Sequence, residues 1–155
     1  MRYLLMACVA TTLAMLVSFK VVAADIAVCG ASKGYGYYPK IGLAASDASA
    51  GEWSEDGISN GRLTATRAND NSYDIIILDS SDSMFSARAD GAAVELFGKT
   101  DKTLTLLVIY PKLIETYTFL RNVDGQAEVM WTQNKHGTLI PKVSAFQAPC
   151  SFLEF

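Results

Sequence analysis

One histidine, His136, and three cysteines are all that 155 residues offer as imidazole or thiolate metal ligands. A single imidazole cannot build a multi-histidine catalytic zinc site. No C-x-x-C, phosphate loop, dinucleotide fingerprint or haem-attachment motif occurs in the chain. These absences leave no expected cofactor and no expected metal. Lysine and arginine are scattered rather than clustered, so the chain lacks the footprint that neutralises nucleic-acid phosphates. The same scatter disfavours attachment to an anionic lipid surface. Nor does any apolar run reach the roughly 20 residues that cross a bilayer as a helix. The longest, Leu4 to Phe19, stops at Lys20.

That run is nonetheless informative. Arg2 precedes it, and Val21-Val22-Ala23-Ala24 follows, giving a basic start, an apolar centre and small residues at a cleavage position. This is the layout of a secretory signal peptide covering residues 1–24, with Asp25 as the new N-terminus. Leu5-Met6-Ala7-Cys8 resembles a lipoprotein box, but too few residues precede Cys8 to form an apolar region of its own. The expected location is therefore the periplasm of a bacterial envelope or the medium beyond it, with no stable membrane span after processing. Removing Arg2 and Lys20 leaves 11 basic residues against 16 acidic ones, a net charge near −5 on a single domain spanning 25–155.

Two cysteines remain after processing, Cys29 and Cys150, near either end. An oxidising compartment and an even count predict a disulfide between them. Closing a loop of about 120 residues is worth at most ~4–5 kcal/mol by chain entropy.

From Arg62 onward the pattern is strand, turn, strand. Arg62–Ala68, Tyr73–Leu78, Met84–Ala89, Ala93–Phe97, Thr103–Tyr110, Leu113–Arg121, Gln126–Gln133 and Thr138–Ala148 are β-rich segments separated by turn-forming residues. Asp90-Gly91 carries the two-residue hairpin signal, so Ala93–Phe97 is expected to pair back on the strand before it. Pro141 lies inside the last segment, which suits an edge or bulged strand. Alternation assigns Leu63, Ala65, Ile75, Ile77, Val94, Leu96, Leu104, Leu106, Val108, Tyr117, Phe119, Val129 and Trp131 to buried faces, and Glu95 and Glu128 to wet ones. About eight antiparallel strands in sequence order predict an all-β meander closing as an up-and-down, lipocalin-like barrel or folding as a sandwich. Residues 30–61, rich in Gly, Ala, Ser and Tyr, read as an N-terminal loop region after a first strand at Asp25–Cys29, with a short helix or loop at Ile41–Ala50.

Few residues suggest chemistry. Gly30-Ala31-Ser32-Lys33-Gly34 matches the G-x-S-x-G of serine hydrolases, but Tyr35-Gly36-Tyr37-Tyr38-Pro39 cannot start the helix that elbow needs. His136 is the only available base and sits in a turn. Asp79-Ser80-Ser81-Asp82-Ser83 has the composition of a turn and too few carboxylates for a calcium loop. Tyr35, Tyr37 and Tyr38 lie among glycines, with Trp53 not far along. Flat, amphipathic rings on an adaptable backbone are typical of recognition surfaces, though the same rings could plug the core. The expectation is a monomeric, non-enzymatic module that binds an unknown small molecule or envelope protein through these four aromatics. An envelope structural or assembly factor using an exposed strand edge is the alternative. A serine hydrolase using Ser32 is a more remote one.

Overall fold

A computed structural model describes residues 23–155. Eleven strands form in chain order: β1 (Ala23–Cys29), β2 (Ser32–Tyr37), β3 (Trp53–Ile58), β4 (Arg62–Ala68), β5 (Tyr73–Leu78), β6 (Met84–Ser86), β7 (Ala93–Lys99), β8 (Thr103–Tyr110), β9 (Leu113–Arg121), β10 (Ala127–Lys135) and β11 (Lys142–Leu153). The only helical element among them is a short 3-10 turn at Gly42–Ser46. The protein is thus all-β, and every ladder is antiparallel.

The strands make one curled, half-barrel sheet in the order β6-β5-β4-β1-β11-β10-β9-β8-β7, with a β2–β3 hairpin branching from β11. Twelve residues make β11 long enough to take two partners in turn along one side. Its second half pairs with β1 (Ala27 opposite Leu153), and its first half pairs with β2 (Tyr37 opposite Val143). At the changeover Gly30 N–H donates to the Pro149 carbonyl at 2.9 Å. A strand residue points its N–H and C=O to the same side, so the donor that Pro149 lacks falls where the ladder is already interrupted. Gly34 lets β2 approach: a Cβ there would collide with the Ala145 carbonyl and the Phe146 Cα.

The concave face holds the core. Leu104, Leu106, Val108, Tyr117, Phe119, Val129 and Ala65 are wholly buried, with Ile75, Val94 and Ala148 nearly so. Cys29 sits opposite Cys150 and the two are joined by a disulfide. The ladder ends at β6 on one side and β7 on the other. Arg88 spans the gap between the wings, donating from Nε to the Tyr73 carbonyl and from Nη2 to the Val94 carbonyl at 2.7 Å.

Several expectations need correcting. Residues 30–61 are loop only in part: β2 and β3 pair from Ser32–Ile58 to Tyr37–Trp53, while residues 38–52 connect them and hold the 3-10 turn inside Ile41–Ala50. Asp90-Gly91 does not close a hairpin. Gly91 alone has positive φ, at 91°, and Gly91 N–H bonds to the Arg88 carbonyl. The chain then crosses from the β5–β6 end of the sheet to the β7–β8 end, so β7 pairs with β8 and not with β6. The last strand is central rather than an edge, with β10 on one side and β1 and β2 on the other, and Pro141 precedes it; it is bulged instead near its far end, where the register with β1 shifts between Val28–Phe152 and Cys29–Cys150. Leu96, expected inside, is 46% exposed on the end strand β7. The signal segment and Cys8 lie outside the described residues, apart from Ala23 and Ala24. Cleavage after Ala24 would trim β1 to start at Asp25, opposite Thr66.

Candidate functional site

Three successive rows cross the concave face of β9, β10 and β11. Strand register dictates them. Phe119, Val129 and Ala148 make the first, Tyr117, Trp131 and Phe146 the second, and Glu115, Gln133 and Ser144 the third. The first two rows are apolar. The aromatic row is continuous, with Trp131 stacked on Tyr117 at 5.5 Å between centroids and on Phe146 at 4.1 Å. The third row is polar and lies at the end where β9 begins and β10 finishes.

Glu115 is 6% exposed. Tyr117 donates its hydroxyl to Oε2 at 2.9 Å and Gln133 donates Nε2 to Oε1 at 2.7 Å. Burial raises the carboxyl's pKa above its ordinary range, opposed by those two hydrogen bonds and by the charges of Lys142 and Lys135. Burial also pushes the Tyr117 hydroxyl well up, helped by the Glu115 charge. Beside this pair the accounting is incomplete. Gln133 Oε1, Ser144 Oγ and Thr138 Oγ1 are buried without a hydrogen-bond partner. Native interiors leave few such atoms.

Above the polar row the curled sheet opens into a cup of about 580 Å³. Ile77 and Phe85 come from one wing, Tyr110 and Leu113 from the other, and Glu115 and Thr138 also line it. Asp79, Asp90, Pro111, Lys112 and Lys135 complete the lining. An apolar concavity of this size with a few convergent polar groups is the usual form of a small-ligand site.

The residues singled out from the sequence sit elsewhere. Tyr35 and Tyr37 share the convex face of β2, beside Ala145 and Val143. Tyr37 lies opposite Trp53, with rings 5.6 Å apart. Tyr35 is 54% and Trp53 60% exposed, so neither plugs the interior. Tyr38 turns away to donate its hydroxyl to Asp56 Oδ2 at 3.2 Å. Lys142 reaches that same oxygen at 3.2 Å while lying over the Tyr38 and Phe146 rings. Three of the four aromatics therefore share a surface, and none of the four lines the cup.

Ser32 is part of a strand, and its Oγ accepts a hydrogen bond from Ile58 N–H at 3.2 Å. No strand-to-helix elbow forms around it. Ser32 lies alongside the Gln147 end of the β2 ladder, and His136 follows Lys135, which pairs with Lys142. Those points are some five to six residues of β11 apart, roughly 20 Å at the rise of a strand. In the acidic loop, Asp79 Oδ1 accepts from Ser81 N–H, Ser81 hydroxyl and Ser83 N–H, a local turn cap. Of the strand glutamates, Glu95 faces water and Glu128 accepts from Gln147 Nε2 at 2.9 Å.

The buried polar row is what sequence reasoning missed. Its signal was present: Glu115 keeps the same parity as Tyr117 and Phe119, so the alternation that buries those rings buries the carboxyl too. Comparison with protein-family models, curated proteins and solved structures finds no match to this chain.

Proposed function

We propose that this chain is an exported, non-enzymatic protein of the bacterial envelope that holds one small ligand in the cup between its two wings. The observation that carries the reading is an apolar concavity of about 580 Å³ with a buried carboxyl on its lining. Burying Glu115 costs free energy that its two hydrogen bonds offset in part, and a bound partner would offset more of it. A disulfide joining the first and last strands suits an oxidising compartment. Among the described residues no helix is long and apolar enough to cross a membrane. This reading moves the ligand from Tyr35, Tyr37, Tyr38 and Trp53 to the concave face, and leaves the exposed rings as a second, flatter contact surface.

The test begins with protein exported to a periplasm and purified gently. A denaturing mass spectrum should show a chain starting at Asp25 with the mass deficit of one disulfide. A native spectrum should show either a ligand of a few hundred daltons or a bare monomer. The bare form should bind the neutral fluorophore N-phenyl-1-naphthylamine saturably and one to one. A chain that carries no ligand and does not bind the fluorophore would rule the reading out.

A second reading is favoured by one observation. The end strand β7 exposes Leu96 and, at 76%, Phe97, and an unpaired apolar edge invites an added strand from a partner. An assembly factor of this kind should lose its partner on Phe97→Lys while keeping fluorophore binding in the cup.

A further inference from the structure

The chemistry of the cup restricts what could fill it. Three acceptor positions on the lining lie at the polar row, two on Glu115 and one on Thr138. Each Glu115 oxygen holds one donor and has capacity for another, and Thr138 Oγ1 holds none; Gln133 Oε1, unpartnered too, lies in the polar row behind the lining. The carboxylate oxygens can only accept and the Thr138 hydroxyl can do either, so a donor-rich head satisfies all three. Charge gives the same direction: the lining has three carboxyl groups (Asp79, Asp90, Glu115) against two lysines (Lys112, Lys135), so one negative charge is uncompensated. The walls add Phe85 and Tyr110, whose ring faces favour a cation.

Resting on the cup reading above, we infer that the ligand is a monocationic amphiphile: a protonated amine on an apolar body, its ammonium against Glu115. A primary ammonium offers three N–H donors and no acceptor, which is the complement of this lining. It adds a charged partner to a buried carboxylate whose direct hydrogen-bond donors are both neutral. A carboxylate-headed ligand would instead set a second anion beside Glu115, an arrangement that disfavours charge on both. A neutral alcohol could donate only one hydrogen bond and would leave the charge uncompensated.

The experiment displaces N-phenyl-1-naphthylamine from the full exported protein with three compounds that share a twelve-carbon chain: dodecylamine, dodecanol and dodecanoate. The amine should displace the fluorophore at a concentration about tenfold or more below the alcohol, the expected size for one charge-assisted pair, with the carboxylate weakest. Glu115→Gln should bring amine and alcohol within about twofold of one another, each measured against that variant's own affinity for the fluorophore. If Glu115→Gln does not fold, the ranking on the unaltered protein decides alone. A fluorophore that binds but is displaced as well by dodecanoate as by dodecylamine would overturn the amine and spare the cup. No fluorophore binding at all would remove the cup and the amine together. The ammonium could come from a free amine or from the headgroup of an ethanolamine lipid. A single-chain ethanolamine phospholipid as a fourth competitor separates these, because only a cup accommodating the adjoining phosphate would bind it as tightly as dodecylamine.

Discussion

Two aromatic clusters occupy opposite faces of the same sheet, each with a Tyr–Trp pair in cross-strand register, and they differ in burial. On the concave face Tyr117, Trp131 and Phe146 stack in register across three strands, with Tyr117 fully buried and Trp131 and Phe146 at 5% and 6% exposure. On the convex face Tyr37 and Trp53 are also register partners, but Trp53 is 60% exposed and the contact is tilted and partly wet. The strands supply the same cross-strand geometry in both places. What differs is what lies beyond: a second wing and a cup on one side, solvent on the other. Aromatic content alone therefore identifies neither core nor site. The side of the sheet decides, and parity along a strand sets the side.

The largest expected effect tests that contrast directly. Trp131→Ala removes the middle ring of the buried stack and should cost about 3–5 kcal/mol, read as a fall in the urea midpoint with the slope retained. A loss below about 1 kcal/mol would mean that the concave stack is no better packed than the convex pair.

Next in size is the staple between the two wings. Replacing Cys29 and Cys150 together by alanine opens a loop with a sequence separation of 121 residues, and should cost about 2–4 kcal/mol. Differential scanning calorimetry of the oxidised protein and the double variant measures it. Smaller again is Arg88→Ala. Its guanidinium donates to backbone carbonyls of both wings, and losing those charge-assisted bonds should cost about 1–2 kcal/mol. Hydrogen exchange should quicken first at the β5 and β7 amides, and uniform quickening would mean that Arg88 does not join the wings.

A pH comparison probes the polar row that divides the aromatic floor from the cup. Burial raises the pKa of Glu115 in the folded chain, so between its ordinary value, about 4.3, and its folded value the native state holds a proton that the unfolded state has released. Stability must fall as pH rises through that window and level off above it. The urea midpoint of wild type should therefore rise relative to that of Glu115→Gln on acidification. A difference that does not change with pH would mean that Glu115 titrates as it does in the unfolded chain.

How much of this was legible depends on how local the signal is. Arg62–Ala68, Tyr73–Leu78, Thr103–Tyr110 and Leu113–Arg121 coincide with β4, β5, β8 and β9, because β-rich alternation and turn residues act within a few positions. β2 was hidden because Gly34 and Gly36 have low strand propensity, and the reason for Gly34 is a close approach to β11, more than a hundred residues away. Asp90-Gly91 misled because one dipeptide can close a hairpin or turn a chain toward the far end of a sheet, and only the distant partner of β7 separates the two. The central place of β11 is likewise a non-local fact. Of the site, Glu115 was within reach by parity, whereas the unpartnered Thr138 Oγ1 lies in a connection that carries no periodicity.

The smallest effect closes the comparison. Trp53→Ala removes an exposed ring whose main aromatic contact is Tyr37, on the β2–β3 hairpin that branches from the main sheet. It should change stability by about 0.5 kcal/mol or less, roughly a tenth of the effect at Trp131. Because the chain has two tryptophans, this variant also leaves Trp131 as the only reporter, buried one row below Glu115. Its fluorescence should respond when a ligand enters the cup and stay unchanged when one binds only the convex face. If Trp131 is silent while the single-tryptophan variant Trp131→Phe, carrying only Trp53, responds to the same ligand, recognition belongs to Tyr35, Tyr37 and Trp53, and the two aromatic clusters exchange roles.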